Sequence, residues 1–216
     1  QAGFVVPGSP AYDRHAAAVA HSRTLSVLRP VLGPKLDLGR LFRGHLAQEF
    51  RHHDADATMA TMIAEPYVNH VPTLTGGYGH AMLKRFYKYH FIPSAARNAD
   101  RETVVISETV GADTVVLEMV IGFVHDEEHE YMLPGVRPTG RKVRLPSVVI
   151  AKFRGDKLCH EHIYWDQASL LAQLGVIDPA GLPITAAEQA RKVLDPSLVP
   201  SNELMTSWSD SEGLPL

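Results

Sequence analysis

The spacing of apolar residues changes once along this chain, and that change restricts the fold more than any other feature. Between Leu38 and Phe91, apolar residues recur every three or four positions, which is the period of a helix with one buried face. After Asp100 the chain becomes rich in Val, Ile and Thr and follows the period of strands. Helices followed by consecutive strands predict an α+β fold with an antiparallel sheet.

Helical segments are predicted before the sheet, each with its own start or stop signal. Asp56 is placed to cap the second helix and Glu65-Pro66 to end it, while Pro93 is placed to end the third. Gly76-Gly77 predicts a turn before the third helix. The predicted helices cover residues 38–50, 56–65 and 83–91, and an extended segment covers 67–72.

Turns rich in Gly, Pro and Asp divide the strand region. Asp166 is expected to cap a helix that ends at Gly175, and residues 185–188 match a capping box for a further helix to Leu194. The predicted strands cover residues 103–110, 114–124, 141–153 and 158–165.

The composition argues against several classes of protein. The single cysteine cannot form an intrachain disulfide, which favours a reducing compartment, and we expect a cytoplasmic protein. The 21 basic residues are interspersed with 24 acidic ones, so a nucleic-acid partner is not expected. No apolar run approaches the roughly 18 residues that cross a bilayer, and the visible N-terminus lacks an export pattern, so we expect no membrane contact.

Three segments of the chain resemble the motifs of one known family. They are Tyr67-Val68-Asn69-His70-Val71-Pro72 followed by Gly76-Gly77, the loop Pro134-Gly135-Val136-Arg137-Pro138-Thr139-Gly140-Arg141, and Gly155-Asp156-Lys157-Leu158 through Tyr164-Trp165-Asp166 to Gln173-Leu174-Gly175. Their order and spacing across residues 38–176 resemble the SnoaL-like polyketide cyclase branch of the nuclear-transport-factor-like, or ketosteroid-isomerase-like, superfamily. The resemblance implies three N-terminal helices packed on a strongly curved antiparallel sheet, a cone-shaped α+β barrel. Residues 1–37 would then form an arm, and residues 177–216 a C-terminal helix and tail.

The same resemblance implies a conical pocket for a small, mostly apolar ligand and a homodimer packed through the sheets. Members of the family include cyclases, isomerases, dehydratases, epoxide hydrolases and non-catalytic proteins, so the fold alone does not define the function. With Gln173-Leu174-Gly175 aligned, the acid/base aspartate of the cyclases falls on Ile163, and their partner histidine falls near Val149. Neither side chain transfers a proton, so the cyclisation machinery of those enzymes is expected to be missing.

Two other residues are the candidates for proton transfer. Alternation along the last strand predicts that Glu161 faces the pocket, where apolar surroundings suit a carboxyl group to acid/base chemistry. The alternative is a surface ion pair. His70 lies in the segment that resembles the pocket-lining first strand, where an imidazole can donate to a carbonyl or shuttle a proton. The alternative there is a hydrogen bond to a backbone carbonyl at the rim.

The sequence thus predicts a protein that binds a small hydrophobic, carbonyl-bearing molecule and performs isomerisation, cyclisation or dehydration without a cofactor. His70 and Glu161 would be the acid/base pair. No phosphate-binding glycine loop or dinucleotide motif is present. A non-catalytic ligand-binding or assembly module is the alternative. The residues predicted to shape the pocket are Tyr67, Met119, Phe123, Ile163 and Trp165.

A metal-dependent enzyme is the third interpretation. His160 and His162 lie two positions apart on one strand, point the same way, and would bind a metal with a third ligand such as His125 or His129. The alternative is that they lie on a solvated or subunit-facing surface. Cys159, which alternation places on the Glu161 face, is expected to be a small buried residue. Glu118 is a weaker acid candidate, because it is expected to face solvent or a partner subunit.

Overall fold

Helices precede and follow a sheet in the computed structural model, which describes residues 2–97 and 101–215. The helices are α1 (Arg14–Leu32), α2 (Leu38–Ala47), α3 (Ala55–Ala60), α4 (His80–Phe86), α5 (Ile92–Arg97), α6 (Gln167–Gln173) and α7 (Glu188–Leu194). The strands are β1 (Met62–His70), β2 (Thr75–Tyr78), β3 (Glu102–Val110), β4 (Thr114–Val124), β5 (Lys142–Arg154) and β6 (Lys157–Trp165). The α+β class is therefore confirmed.

The strands form one curved, unclosed sheet in the order β2-β1-β6-β5-β4-β3. The hairpin of β3 and β4 and the antiparallel neighbours β5 and β6 are confirmed. The expectation of a purely antiparallel sheet is wrong at one place, because β1 runs parallel to β6. Register shifts in the β1–β6, β3–β4 and β5–β6 pairs mark bulges, which bend the sheet around the space that the helices cover.

The second predicted helix is too long. α3 ends at Ala60, and Met62 already pairs with Leu158 as part of β1. The cap is Asp54 rather than Asp56, since Asp54 Oδ1 accepts from the backbone N–H groups of Asp56 and Ala57, at 2.9 Å each. The apolar residues after Ala60 suit a helix face and a buried strand equally well, so spacing alone did not place the boundary.

The glycine pair at 76–77 lies within β2 and not in a turn. Gly76 pairs with Asn69 of β1 and has a φ of 125°, and a Cβ there would collide with the carbonyl of Val68. Glycine is therefore required for the close approach of the two strands. The chain reverses just before this strand, within residues 71–74.

The third predicted helix continues past the proline that was expected to end it. A π-helical turn (Tyr87–Phe91) follows α4, and α5 begins at Ile92, so Pro93 lies in the first turn of a helix. The hydrogen bonding is already irregular there, since the N–H of Ile92 bonds to the carbonyl of Tyr87 in the π-helical pattern, so a residue without an N–H is tolerated. A second π-helical turn (Gln48–His52) extends α2.

The C-terminal helices agree with the sequence in position but not in every cap. Asp166 caps α6 as predicted, accepting from the backbone N–H of Ala168 at 3.0 Å, and Gly175 follows with a φ of 69°. α7 ends at Leu194 as predicted, but its N-cap is Ala187 without a side-chain cap, so the predicted capping box is wrong.

The N-terminal helix attaches to the sheet through polar contacts, since none of its residues is buried. Ser22 Oγ donates to the buried Asp113 carboxylate at 2.9 Å, and Lys152 Nζ lies 2.9 Å from the same group. Burial alone would raise the pKa of Asp113, but the hydrogen bonds from Lys152 and Ser22 outweigh burial and lower that pKa. No helix within residues 2–97 or 101–215 is long and apolar enough to cross a membrane.

Candidate active site

A cavity of about 500 Å³ lies between the helices and the concave face of the sheet. Its walls are mainly aliphatic and aromatic, and its polar groups come from both layers. The lining includes Leu46, Glu49, Phe50, Val68, His70, Tyr87, Phe91, Leu117, Met119, Ile121, Tyr131, Ser147, Val149, Glu161, Ile163 and Trp165. Such a space suits a small, largely apolar molecule.

Alternation along the strands decides which predicted residues reach the cavity. Glu161, Ile163 and Trp165 of β6 line it, as do His70 of β1 and Met119 of β4. The two predicted proton-transfer residues therefore face one cavity. Trp165 is held in place because its Nε1 donates to Gln167 Oε1 at 2.6 Å.

His70 is a buried, neutral imidazole among aromatic rings. Its ring packs 5.1 Å from that of Tyr131 and 5.7 Å from that of Phe91, measured between centroids. Burial lowers the pKa of His70 to about 4. Nδ1 lies 3.2 Å from the carbonyl oxygen of Thr75, which can only accept, so Nδ1 carries the proton, and the backbone hydrogen bond considered as the alternative for His70 is formed. The neutral ring therefore has its lone pair on Nε2 and cannot donate to a substrate carbonyl, which corrects one of the two roles expected for it.

Glu161 belongs to a buried polar cluster, which consists of His45, Glu49, Tyr87 and Glu161. His45 Nε2 lies 3.1 Å from Glu49 Oε1 and 3.5 Å from Glu161 Oε2. The Tyr87 hydroxyl donates to Glu161 Oε2 at 3.4 Å. All four side chains are buried, and Glu161 is 4% exposed. The surface ion pair considered for Glu161 is therefore not formed.

Burial and mutual charge shift the protonation of this cluster. Burial disfavours the imidazolium, but the carboxylates of Glu49 and Glu161 outweigh it and raise the pKa of His45 to about 10. Burial also raises the pKa of the Glu49 carboxyl group. Burial and the nearby carboxylates raise the pKa of Tyr87 well above its usual value, so its hydroxyl remains a donor at neutral pH.

Glu49 and Tyr87 both lie in π-helical turns and not in regular α-helix. Glu49 lies in the π-helical turn Gln48–His52, and Tyr87 begins the π-helical turn Tyr87–Phe91. A π-helical turn holds one extra residue, which rotates the side chains that follow relative to a regular helix, and such turns often occur at functional sites. Both turns in the described part of the chain therefore supply groups to the same cluster.

Sequence reasoning missed His45, Glu49 and Tyr87. A usable signal was present for the first two, because Leu38, Phe42, His45 and Glu49 follow one stripe of a helix at intervals of four, three and four residues. His45 and Glu49 thus occupy core-facing positions, where a polar residue calls for an explanation.

Some residues predicted to shape the pocket lie elsewhere. Tyr67 is an odd number of positions from His70, so it points to the outer face of the sheet, where its ring lies 5.4 Å from that of His162. Phe123 is buried beyond the cavity lining and packs on His129 with ring centroids 4.8 Å apart. Cys159 is only half-buried, because it sits at the β5–β6 bulge that interrupts alternation.

The predicted metal site on the outer face is not assembled. The rings of His160 and His162 stack 4.8 Å apart, but within the described ranges no third His, Cys, Asp or Glu completes a ligand group with them. His125 and His129 instead organise a buried loop beyond β4, with rings 5.8 Å apart. Glu118 faces outward and accepts from Ser107 Oγ at 3.0 Å.

Comparison with known proteins identifies the class of fold. No family model and no curated protein matches the chain. A protein of Acidithiobacillus ferrooxidans, proposed to be a polyketide cyclase, is 17% identical over 67% of this chain and 99% of its own, with a TM-score of 0.51. TsrD of Streptomyces laurentii is 16% identical over 66% of this chain and 100% of its own, also with a TM-score of 0.51. A protein of Jannaschia sp. CCS1, proposed to be a SnoaL-like polyketide cyclase, is 15% identical over 67% and 99%, with a TM-score of 0.48.

The two structures with a TM-score of 0.51 confirm the α+β fold that the sequence motifs implied, with helices packed on a strongly curved sheet. At such identities they show the fold alone. Within that fold, Val149 and Ile163 pair directly across β5 and β6 and both line the cavity. The two positions at which the sequence resemblance predicted the loss of the cyclases' histidine and aspartate are therefore neighbours in the cavity wall, and both are apolar here.

Proposed function

We propose that this protein binds a small hydrophobic, carbonyl-bearing molecule in the cavity and catalyses its isomerisation, cyclisation or dehydration by acid/base chemistry. The observation that carries the proposal is that Glu161 and His70 both face one mainly apolar cavity of about 500 Å³. Apolar walls favour binding of an apolar skeleton, and the few polar groups would orient its carbonyl.

The side chains divide the chemistry between proton acceptors and a donor. Glu161 and the Nε2 atom of His70 are acceptors that can remove a proton from the carbon next to a carbonyl and return it elsewhere. The Tyr87 hydroxyl, which stays protonated, can donate to the carbonyl oxygen as that oxygen gains negative charge. Isomerisation, cyclisation and dehydration all share this first proton abstraction.

Deuterium exchange tests the proposal without knowledge of the final product. A panel of apolar ketones is incubated with the protein in D₂O, and NMR measures deuterium at the carbons next to the carbonyl. Glu161→Gln and His70→Ala should each abolish enzyme-dependent exchange while the fold, followed by circular dichroism, is kept. Tyr67→Phe, on the outer face, is the matched control and should exchange at the wild-type rate. Full exchange by both cavity variants would contradict the assignment.

A non-catalytic ligand carrier of the same fold is the second candidate. The absence of a proton-transfer residue at Val149 and Ile163 favours it over a cyclase of the SnoaL type. Trp165 lines the cavity, so quenching of its fluorescence reports binding of each ketone. Tight binding with recovery of unchanged, unexchanged ligand would favour the carrier.

The homodimer implied by the family resemblance stays a prediction. Support comes from β3, a strand at the edge of the sheet whose residues are all exposed, among them Val104 and Val110 at 46% and 50%. A partner subunit would remove these side chains from water. Light scattering coupled to gel filtration measures the mass: about twice 23.7 kDa supports the dimer, and the monomer mass contradicts it.

A further inference from the structure

The buried cluster contains a set of metal-ligand atoms. His45 Nε2 and one carboxylate oxygen each from Glu49 and Glu161 all lie within 4.8 Å of one another. The side chains are 0%, 3% and 4% exposed. Imidazole nitrogen with carboxylate oxygen is a donor set that suits Zn²⁺ and the neighbouring divalent transition metals.

The distances suit ligands of a shared ion better than direct hydrogen bonds. A charge-assisted N–H···O bond is about 2.7–2.9 Å long, whereas Nε2 lies 3.1 Å from Glu49 and 3.5 Å from Glu161. Within the described residues, this ring nitrogen has no partner in hydrogen-bond geometry, although it is fully buried. Ligands on a tetrahedral ion with bonds of about 2.0–2.1 Å are separated by about 3.3 Å.

The imidazole is also held in the orientation that metal binding requires. Thr61 Oγ1 donates to the carbonyl of Thr58 at 2.7 Å, so toward His45 Nδ1, 2.6 Å away, it acts as acceptor. The Nδ1–H of His45 is thereby engaged and Nε2 points at the carboxylates. Metal-ligating histidines are oriented in this way by a hydrogen bond from their second ring nitrogen.

The charge of the cluster and its access to the cavity also favour a metal ion. Even a protonated His45 supplies one positive charge to two carboxylates, whereas a divalent ion with a neutral imidazole balances both. Glu49 and Glu161 line the cavity, so an ion bound between them would be accessible from it. A further coordination position would then face the cavity, as in catalytic rather than structural sites.

We propose that His45, Glu49 and Glu161 form a binding site for a divalent transition-metal ion of the Zn²⁺ class at the polar end of the cavity. The site goes beyond the proposed function and does not depend on it. The Glu161 carboxylate can either bind a metal ion or accept a proton from a substrate. Metal binding is measured without any substrate, so the two proposals are tested separately. Failure of one proposal is therefore distinguishable from failure of the other.

The test is Zn²⁺ binding by the full chain after chelator treatment. Isothermal titration should give one Zn²⁺ per chain, and the metal should stay with the protein through gel filtration. Glu49→Gln, which keeps the shape but removes a ligand charge, should weaken binding at least about tenfold. Thr61→Val, which removes the acceptor of Nδ1–H, should weaken binding about 10- to 100-fold.

The outer-face histidines provide the matched control. The double variant His160→Gln, His162→Gln removes a half-buried histidine pair on the outer face and should bind Zn²⁺ as the wild type does. Circular dichroism and thermal unfolding establish that each variant is folded. If Glu49→Gln does not fold, the Zn²⁺ affinity of Thr61→Val decides the test. Absence of bound Zn²⁺, unchanged affinity in both Glu49→Gln and Thr61→Val, or loss of binding in the His160/His162 variant would each overturn the proposal.

Discussion

Replacing His45 by leucine should destabilise the metal-free protein more than almost any other single change of similar size. His45 is fully buried between Glu49 and Glu161, which are themselves 3% and 4% exposed. Removing the cation leaves two buried carboxylates that repel each other, and breaking a buried ion pair in this way costs about 3–5 kcal/mol. For a chain of this length, each kcal/mol lowers Tm by about 2–4 °C, so Tm should fall by about 6–20 °C.

Urea unfolding at neutral pH with chelator present measures this cost. His45→Leu should shift the midpoint by about 3–5 kcal/mol of unfolding free energy with an unchanged slope. His162→Leu, on the outer face, is the control and should stay within about 0.5 kcal/mol of the wild type. The triple apolar variant with Leu at positions 45, 49 and 161 should regain most of the loss, because no unpaired charge remains. A loss below about 1 kcal/mol in His45→Leu would refute the reasoning, since two buried carboxyl groups that lose their partner cost more than that whether they stay ionised or take up protons.

Three further changes test other parts of the structure. Leu145→Ala, at a position with 0% exposure, should cost about 2–5 kcal/mol in urea unfolding. In the folded protein the pKa of Asp113 lies below its ordinary 3.8, so the pair of Asp113 and Lys152 stabilises the fold above pH 3.8, and this stabilisation is lost as pH falls through the folded pKa. Asp113→Asn should therefore reduce the loss of unfolding free energy at acid pH, and an unchanged loss would contradict the pairing. Ile163→Trp should narrow the cavity beside Glu161 and weaken ketone binding, measured by equilibrium dialysis, whereas Tyr67→Trp on the outer face should leave ketone binding unchanged.

The β3–β4 hairpin was the part of the fold that the sequence encoded most directly. Residues 103–124 form two long runs rich in Val, Ile and Thr separated by a short turn, so a hairpin was the simplest arrangement, and the structure contains it. The boundary after Ala60 was not predictable from spacing, because it depends on Met62 pairing with Leu158 almost a hundred residues later. Long-range pairing of this kind leaves little local trace in the sequence.

The site was predicted in part, and the errors concern the face of the sheet to which a side chain points rather than the choice of residue type. Glu161 was found from the alternation along the last strand, and His70 from the resemblance of its segment to a pocket-lining strand. Tyr67 was misplaced because it is three positions from His70, and side chains an odd number apart face opposite sides. Cys159 was misplaced because a bulge shifts the β5–β6 register beside it, and no sequence signal predicts that bulge.

The polar end of the cavity is where this chain departs most from the rules that stabilise a fold. His45 and Glu49 occupy helix positions where apolar residues would pack at less cost, and each of two π-helical turns supplies one group to the same point. Departures from local rules concentrate at functional sites, since selection for stability alone removes them. Here polar core positions, irregular helix turns and a buried ring nitrogen without a hydrogen-bond partner in the described structure coincide within a few ångströms. Glu161 and its neighbours at the inner end of the cavity are therefore the first residues at which to test the proposed functions, ahead of the stacked histidines of the outer face.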